Sequence, residues 1–305
     1  MKLAAAHDTV TLPLPAGMLL RSAADRRLVG TGLAIDAVPA IGPQRPVRLA
    51  AVPSGHWVAH GLPGIPAGVA NDPGGWSGTA RPFRVAVSDP LGRFLPLRFT
   101  ASFPARGTLR WSGWSGWSAS RRNRARPVLP PGAGASTIPD YLPLFPGAGW
   151  VPEPALADVR AQLAIRETGG ALRSAGWAVA TIGIGNTVIG LGIADGDGRL
   201  VIAFPYPPMP EQTPVEAARG RMQIAWEVRV RVYCRELAAG LGPDEVPQLQ
   251  DILAQLDDLP IRALATIMGS QPALPDQPLV LGRTLVLRTE LAGGKLSSSL
   301  FLKSP

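Results

Sequence analysis

Residues 83–95 read FRVAVSDPLGRFL, and residues 189–202 read IGLGIADGDGRLVI. Each stretch is an alternating apolar run, then Asp-x-x-Gly-Arg, then a second apolar run, and a Phe-Pro pair follows shortly after. The pattern predicts a β-hairpin, because Asp tolerates turn geometry and Gly readily takes a positive φ. Since it occurs twice, the sequence predicts two copies of one small β-sandwich.

Composition supports a mainly β protein with two domains. The chain has 305 residues, of which 46% are apolar, with 35 Gly and 33 Pro. Such a Gly and Pro content is unsuited to long helices and suits short strands joined by tight turns. The single cysteine, Cys234, excludes an intrachain disulfide framework. We therefore expect a protein of a reducing compartment such as the cytoplasm, or one that is assembled in the cytosol and released later.

The predicted organisation has three parts. Residues 1–105 form the first sandwich, residues 106–150 a connector rich in Pro, Gly, Trp and Arg, and residues 151–305 the second sandwich. Apolar residues at helical spacing predict one late helix at about residues 244–259, beginning at Asp244 and stopped by Pro260. Residues 279–287, followed by 300–302, predict a closing hairpin. We therefore predict two antiparallel β-sandwiches as the fold class.

The connector carries the candidate partner-binding residues. These are Trp111, Trp114 and Trp117, followed by Arg121, Arg122, Arg124 and Arg126. A spacing of three places the tryptophans on one face of an extended left-handed helix. Because Trp and Arg are enriched in interface hot spots, we interpret the segment as a docking arm, which we expect to bind neighbouring subunits together with the late helix. Packing within the chain and binding of nucleic acid are the alternatives.

The charge and the pattern of candidate ligands favour a role in binding partners over a catalytic or metal-binding role. The formal net charge is +8 and comes mainly from arginine, which indicates an acidic partner surface, a nucleic-acid partner, or the arginine preference of a GC-rich genome. His56 and His60 lie four residues apart, but a zinc site needs more ligands than these. Neither a catalytic constellation nor a cofactor motif is recognisable, and no membrane span is predicted. The sequence thus predicts a protein that is not an enzyme.

The second segment resembles a known domain family. LAIRETGGAL at residues 163–172, then Trp177-Ala178-Val179 and Asp197-Gly198-Arg199-Leu200, is similar to the carboxypeptidase regulatory-like domains. Residues 19–104 match the same outline more loosely. The resemblance implies prealbumin-like sandwiches of about seven strands that act as adaptors and carry no active site.

The order of the whole chain also resembles proteins encoded with phage-tail-like contractile injection systems. The phrases GRFLP at residues 92–96, PLF at 143–145 and FPYP at 204–207 carry this likeness. It implies a structural adaptor at the cap or baseplate, in contact with sheath, tube, terminator or baseplate subunits and oligomeric within the particle. The alternatives are a module that binds carbohydrate or a cell surface through the exposed tryptophans, and an accessory domain of a hydrolase.

Overall fold

The computed structural model describes residues 16–42, 44–59, 61–65, 80–103, 141–167, 169–209, 224–237, 245–268 and 270–303. Within these ranges the protein is mainly β, as predicted, and its strands form two sandwiches. No helix in the described part of the chain has the length and apolar character needed to cross a membrane.

The first sandwich consists of two four-stranded sheets, ordered β4-β5-β1-β8 and β3-β2-β6-β7. The strands are β1 (Ala16–Ser22), β2 (Ala34–Pro39), β3 (Val47–Arg48), β4 (Ala50–Ala51), β5 (His56–Ala59), β6 (Arg81–Ser88), β7 (Leu97–Phe103) and β8 (Leu142–Leu144). The alternation read from the sequence is visible in β6, where Phe83, Val85 and Val87 are buried and the residues between them are exposed. The rings of Phe83 and Phe103, 5.7 Å apart, fill the space between the sheets.

The second sandwich also has two layers, and its strands are β9 (Leu156–Arg166), β10 (Leu172–Ser174), β11 (Val179–Ile184), β12 (Thr187–Ile193), β13 (Arg199–Pro205), β14 (Ala225–Tyr233), β15 (Gln277–Val280), β16 (Leu285–Leu287) and β17 (Leu300–Lys303). One sheet has the order β12-β11-β14-β15. In the other, β9 pairs antiparallel with β10 and β13, and parallel with β16 and β17. The side chains of residues 157–165 in β9 alternate between the core of the second sandwich and the opposite face of the sheet.

The turns that begin at Asp89 and Asp195, here called the Asp-Gly turns, connect their flanking strands in different ways. After Asp89, strands β6 and β7 pair directly as the predicted antiparallel hairpin. After Asp195, only Ala194 and Leu200 form a bridge, and then β12 and β13 diverge into different sheets. The prediction of a second hairpin is therefore wrong, and the two sandwiches are not copies of one pairing pattern. The closing hairpin is also wrong, because β15 pairs with β14 whereas β16 pairs with β9.

Glycine explains how the second turn leads from one sheet to the other. A Cβ at Gly190 would lie 2.6 Å from a ring carbon of Phe204, and one at Gly192 would lie 2.6 Å from Ile202. Because neither position carries a side chain, β12 can cross closely above β13. The alternating glycines of β12 therefore permit close packing between the two sheets of the second sandwich, although their pattern in the sequence predicts a hairpin.

The end of the predicted connector belongs to the first sandwich. Strand β8 pairs in parallel with β1, from Leu20 opposite Leu142 to Ser22 opposite Leu144. Phe145 is fully buried in the core of that sandwich. The sequence range assigned to the connector therefore contains a strand of the first domain, which leaves residues 104–140 between two strands of the same sandwich.

The late helix is short and joins the two sandwiches. Helix α1 (Leu249–Leu253) continues as a 3-10 turn, Ala254–Asp257, and its N-cap is Gln248. The predicted cap, Asp244, lies outside the described residues. Its apolar residues are buried in one cluster with the core of the first sandwich: Leu249, Ile252, Leu253 and Leu256. The expectation that this helix binds neighbouring subunits is therefore wrong, because its apolar face is already covered within the chain.

Polar contacts fix the same junction. The side-chain amide of Gln255 is buried and donates to the carbonyls of Trp177 and Ile252, both at 2.9 Å, while its oxygen accepts from the backbone N–H of Arg235 at 3.0 Å. Strand β7 adds an ion pair of 2.6 Å between Arg98 and Glu245. Because a buried amide needs partners, these bonds hold the helix in one position relative to both sandwiches.

Candidate functional site

The partner-binding residues predicted from the sequence lie outside the described residues: Trp111, Trp114, Trp117, Arg121, Arg122, Arg124 and Arg126. The docking arm remains a prediction. His7 and His60 also lie outside them, and the His56 ring contacts the Ser54 hydroxyl at 3.0 Å. Among the residues that the structure describes, no group of three or more His, Cys, Asp or Glu could hold a metal ion.

A groove of about 340 Å³ lies where the first sandwich meets the segment leading into the second. Three pieces of chain line it: residues 22–31 after β1, Arg93 and Phe94 from the first Asp-Gly turn, and residues 150–153 before β9. Leu28 and Val151 on its wall are exposed apolar residues, at 42% and 77%. We treat this groove as the candidate site.

The Asp89 carboxylate fixes one wall of the groove. Its side chain is fully buried, and its oxygens accept from the backbone N–H groups of Leu91, Arg93 and Phe94 at 2.9–3.2 Å. The Arg93 guanidinium adds two further bonds, of 2.9 and 3.2 Å. Burial alone raises the pKa of Asp89, but the hydrogen bonds and the charge of Arg93 outweigh it, so this pKa lies below its ordinary value.

This turn orients two aromatic rings. The Arg93 guanidinium lies over the ring of Phe94, 5.6 Å from its centre. The Trp150 ring lies 5.5 Å from Phe94 at an interplanar angle of 59°. A Cβ at Gly149 would lie 2.8 Å from the carbonyl oxygen of Gly92, so the chain before Trp150 passes close to the turn because it has no side chain there. The guanidinium and the partly exposed Trp150 ring are thus fixed in position by their contacts with the buried Phe94 ring.

The opposite wall is held by ion pairs. Arg27 contacts the carboxylates of Asp25 at 3.1 Å and Glu153 at 3.0 Å, which ties the first sandwich to the segment before β9. Farther in, Arg160 donates to the Trp150 carbonyl and to Asp158, both at 2.9 Å. Because Arg27 is largely exposed, we attribute little stability to its ion pairs and regard them as a contact surface.

Sequence reasoning did not predict this groove. The Asp-x-x-Gly-Arg motif identified Asp89 and Arg93 as residues of a turn, and it gave no reason to connect that turn with Trp150 or Glu153. The available signal was Gly147 and Gly149 before Trp150, since paired glycines beside an aromatic residue indicate close backbone approach. The arrangement can offer a partner fixed aromatic and guanidinium surfaces beside exposed apolar residues, a composition typical of interface centres.

The chain was compared with protein-family models, with curated proteins and with solved structures, and none of the three comparisons gave a match.

Proposed function

We propose that this protein is a non-enzymatic structural adaptor of a phage-tail-like contractile injection particle, at its cap or baseplate, acting through protein–protein contacts. The observation that carries the proposal is the junction between the sandwiches. There a shared apolar core, a buried amide network and ion pairs fix two β-sandwiches relative to each other. An adaptor needs this property, because a rigid body can hold two neighbours at a set distance and angle.

The groove supplies a contact surface on that rigid body. Its walls combine Trp150, Phe94, Arg27 and Arg93 with exposed apolar side chains. Aromatic residues and arginine dominate the energetics of protein interfaces, particularly where their positions are fixed before binding. The resemblance of the chain order to injection-system proteins supports the choice of particle, and the tryptophan-rich segment is the second contact that we propose.

Incorporation into the particle tests each contact separately. The full chain is expressed with the genes of the particle, and its amount in purified particles is measured by quantitative mass spectrometry. Replacing Trp111, Trp114 and Trp117 together by Ala is expected to abolish incorporation, whereas replacing all three by Phe keeps aromatic faces and is the matched control. Normal incorporation of the alanine variant would remove the docking arm from the proposal.

The groove has its own matched pair of variants. Val151→Asp places a charge at the groove, and Ile41→Asp makes the same change at an exposed apolar position of the first sandwich that does not line the groove. The first variant is expected to lose most of its incorporation and the second to keep it. Equal incorporation of both would show that the groove is not a particle contact.

Binding of carbohydrate through the tryptophans is the alternative, and it predicts a different result. Selective retention of the protein on a glycan array, lost in the triple alanine variant, would favour a cell-surface binding module over the adaptor. An adaptor is expected to give no selective signal on the same array.

A further inference from the structure

Three basic residues lie side by side across the second sandwich. Arg166 at the end of β9 is directly opposite Lys303 of β17 in the parallel ladder. On the other side of β17, Ala263 is opposite Leu302, and the backbone N–H of Lys303 donates to the carbonyl of Arg262 at 2.9 Å. Antiparallel pairing therefore places Arg262 opposite Lys303, and the three residues form one row, here called the cation row.

All three side chains leave the same face of the sheet. Ile165, Leu302 and Ala263, their neighbours along the chain, point into the core of the second sandwich. Successive side chains of a strand alternate between faces, and residues opposite each other share a face. The cation row consequently lies on the outer face, where Lys303 and Arg262 are exposed and Arg166 is half-buried.

The described part of the chain provides no counter-charge for the row. None of its described residues forms an ion pair or side-chain hydrogen bond with Arg166, Arg262 or Lys303, and one guanidinium nitrogen of Arg166 is buried without a partner. The nearest carboxylate along the chain, that of Glu167, contacts Arg173 at 3.6 Å instead. By contrast, the exposed Arg48 of the first sandwich is paired with the carboxylate of Asp36 at 2.6 Å.

A row of like charges is unfavourable in a free sheet. Like charges directly opposite each other on neighbouring strands destabilise the pairing, and a buried guanidinium nitrogen without a partner adds to that cost. Sites that break local rules in this way are frequently functional. An anionic ligand would remove the repulsion within the row, because it would neutralise the three adjacent positive charges.

We infer that the cation row is a binding site for carboxylate side chains on an acidic segment of a partner protein. Strands in a sheet are about 4.8 Å apart, so the row spans about 10 Å, which matches a few carboxylates on one short segment. Arg166 and Arg262 carry planar guanidinium groups that pair with carboxylates through two hydrogen bonds. The site specifies that one partner of the proposed adaptor presents an acidic segment, and in that respect the inference rests on the proposed function.

The surroundings of the row favour a protein over a nucleic acid. Leu172, which lies opposite Arg166 on the other edge of β9, is an exposed apolar residue at 56%. A nucleic-acid strand would need basic residues along a longer track, whereas a short acidic segment with an apolar side chain fits three cations beside an exposed leucine.

Peptide binding by the full chain tests the site without the particle. The probe is a fluorescein-labelled peptide of sequence Glu-Leu-Glu-Leu-Glu, and its fluorescence anisotropy is measured at low ionic strength. The double variant Arg262→Gln/Lys303→Gln changes only exposed side chains and is expected to bind at least about fivefold more weakly. Arg45→Gln/Arg84→Gln removes the same charge at exposed positions of the first sandwich and is expected to bind like the original protein.

The outcomes separate this inference from the proposed function. Loss of binding in the first double variant alone, with no binding of a Gln-Leu-Gln-Leu-Gln peptide, supports the acidic-segment site. Equal binding by both double variants overturns it, as does tighter binding of a labelled six-residue oligothymidine than of the acidic peptide. Arg166→Gln gives a further readout, because the acidic peptide should raise the melting temperature of the original protein more than that of this variant. Failure of these tests leaves the particle incorporation of the Trp and Val151 variants as the separate measure of the adaptor function.

Discussion

Ile252 offers a direct test of the junction between the two sandwiches. Its side chain is fully buried in helix α1, in the cluster that also contains the core of the first sandwich. Replacing a buried Ile by Ala removes its contacts and leaves a cavity, and the typical cost is about 2 to 5 kcal/mol. With a urea dependence of about 2 kcal/mol per molar, the midpoint of unfolding is expected to fall by about 1 to 2.5 M.

The assay follows both sandwiches in one experiment. Urea unfolding is monitored by pulsed hydrogen exchange and mass spectrometry, which separates peptides from β6 and from β14. Because the helix is part of one shared core, both sets of peptides are expected to unfold at the same urea concentration, and Ile252→Ala should shift both midpoints equally. Leu259→Ala, at a site that is 89% exposed, is the matched control and should cost less than about 0.5 kcal/mol.

Two results would refute the reasoning. Separate midpoints for β6 and β14 in the original protein would show that the shared cluster does not couple the sandwiches. A shift in only one midpoint after Ile252→Ala would show that the helix belongs energetically to one sandwich.

Three further predictions concern single residues. Asp89→Asn removes the charge that accepts five hydrogen bonds and should destabilise the protein by about 1 to 3 kcal/mol, measured by urea unfolding. Because folding lowers the pKa of Asp89, its contribution to the free energy of unfolding is present above its unfolded pKa and is lost as pH falls through the lower folded pKa. The stabilities of the variant and the original protein should therefore converge in acid. A difference in stability that stays constant with pH would contradict this. Gly190→Ala should cost about 1 to 3 kcal/mol in the same assay, since its Cβ would meet the Phe204 ring, whereas Gly185→Ser, which meets no atom within 4 Å but has a φ of 56°, separates backbone strain from this clash. Burial raises the pKa of the Cys234 thiol, so iodoacetamide should label it more slowly in the folded protein than in urea, and equal rates would be evidence against its burial.

The sequence was sufficient for the class of the fold and for many of its strands. Strand β14 illustrates why. Its buried residues Trp226, Val228 and Val232 are separated by even numbers of positions, as the alternation predicted. This period is a local property, so it can be read without knowing the rest of the structure. The Asp89 turn was predictable for the same reason, since the bonds of its carboxylate reach only five residues along the chain.

Pairing between distant segments could not be predicted in this way. The Asp195 turn has the same local signal as the Asp89 turn, but packing of Gly190 against Phe204 decides that β12 and β13 separate. The groove depends similarly on the contact between the rings of Phe94 and Trp150, which are distant in the sequence. The late helix could be predicted from the spacing of its apolar residues. Its burial against the first sandwich depends on tertiary contacts, which this spacing does not predict.

The return of the chain through β8 changes what residues 104–140 connect. Strands β7 and β8 both belong to the first sandwich, so this segment is an excursion from one domain and not a tether between two. A single cut within it by a protease would leave each new end attached to a strand that remains paired in its sheet. The nicked protein should migrate as one species on gel filtration and separate into two fragments only in denaturant. Because both strands that flank the excursion belong to the first sandwich, its length does not enter the covalent path from one sandwich to the other.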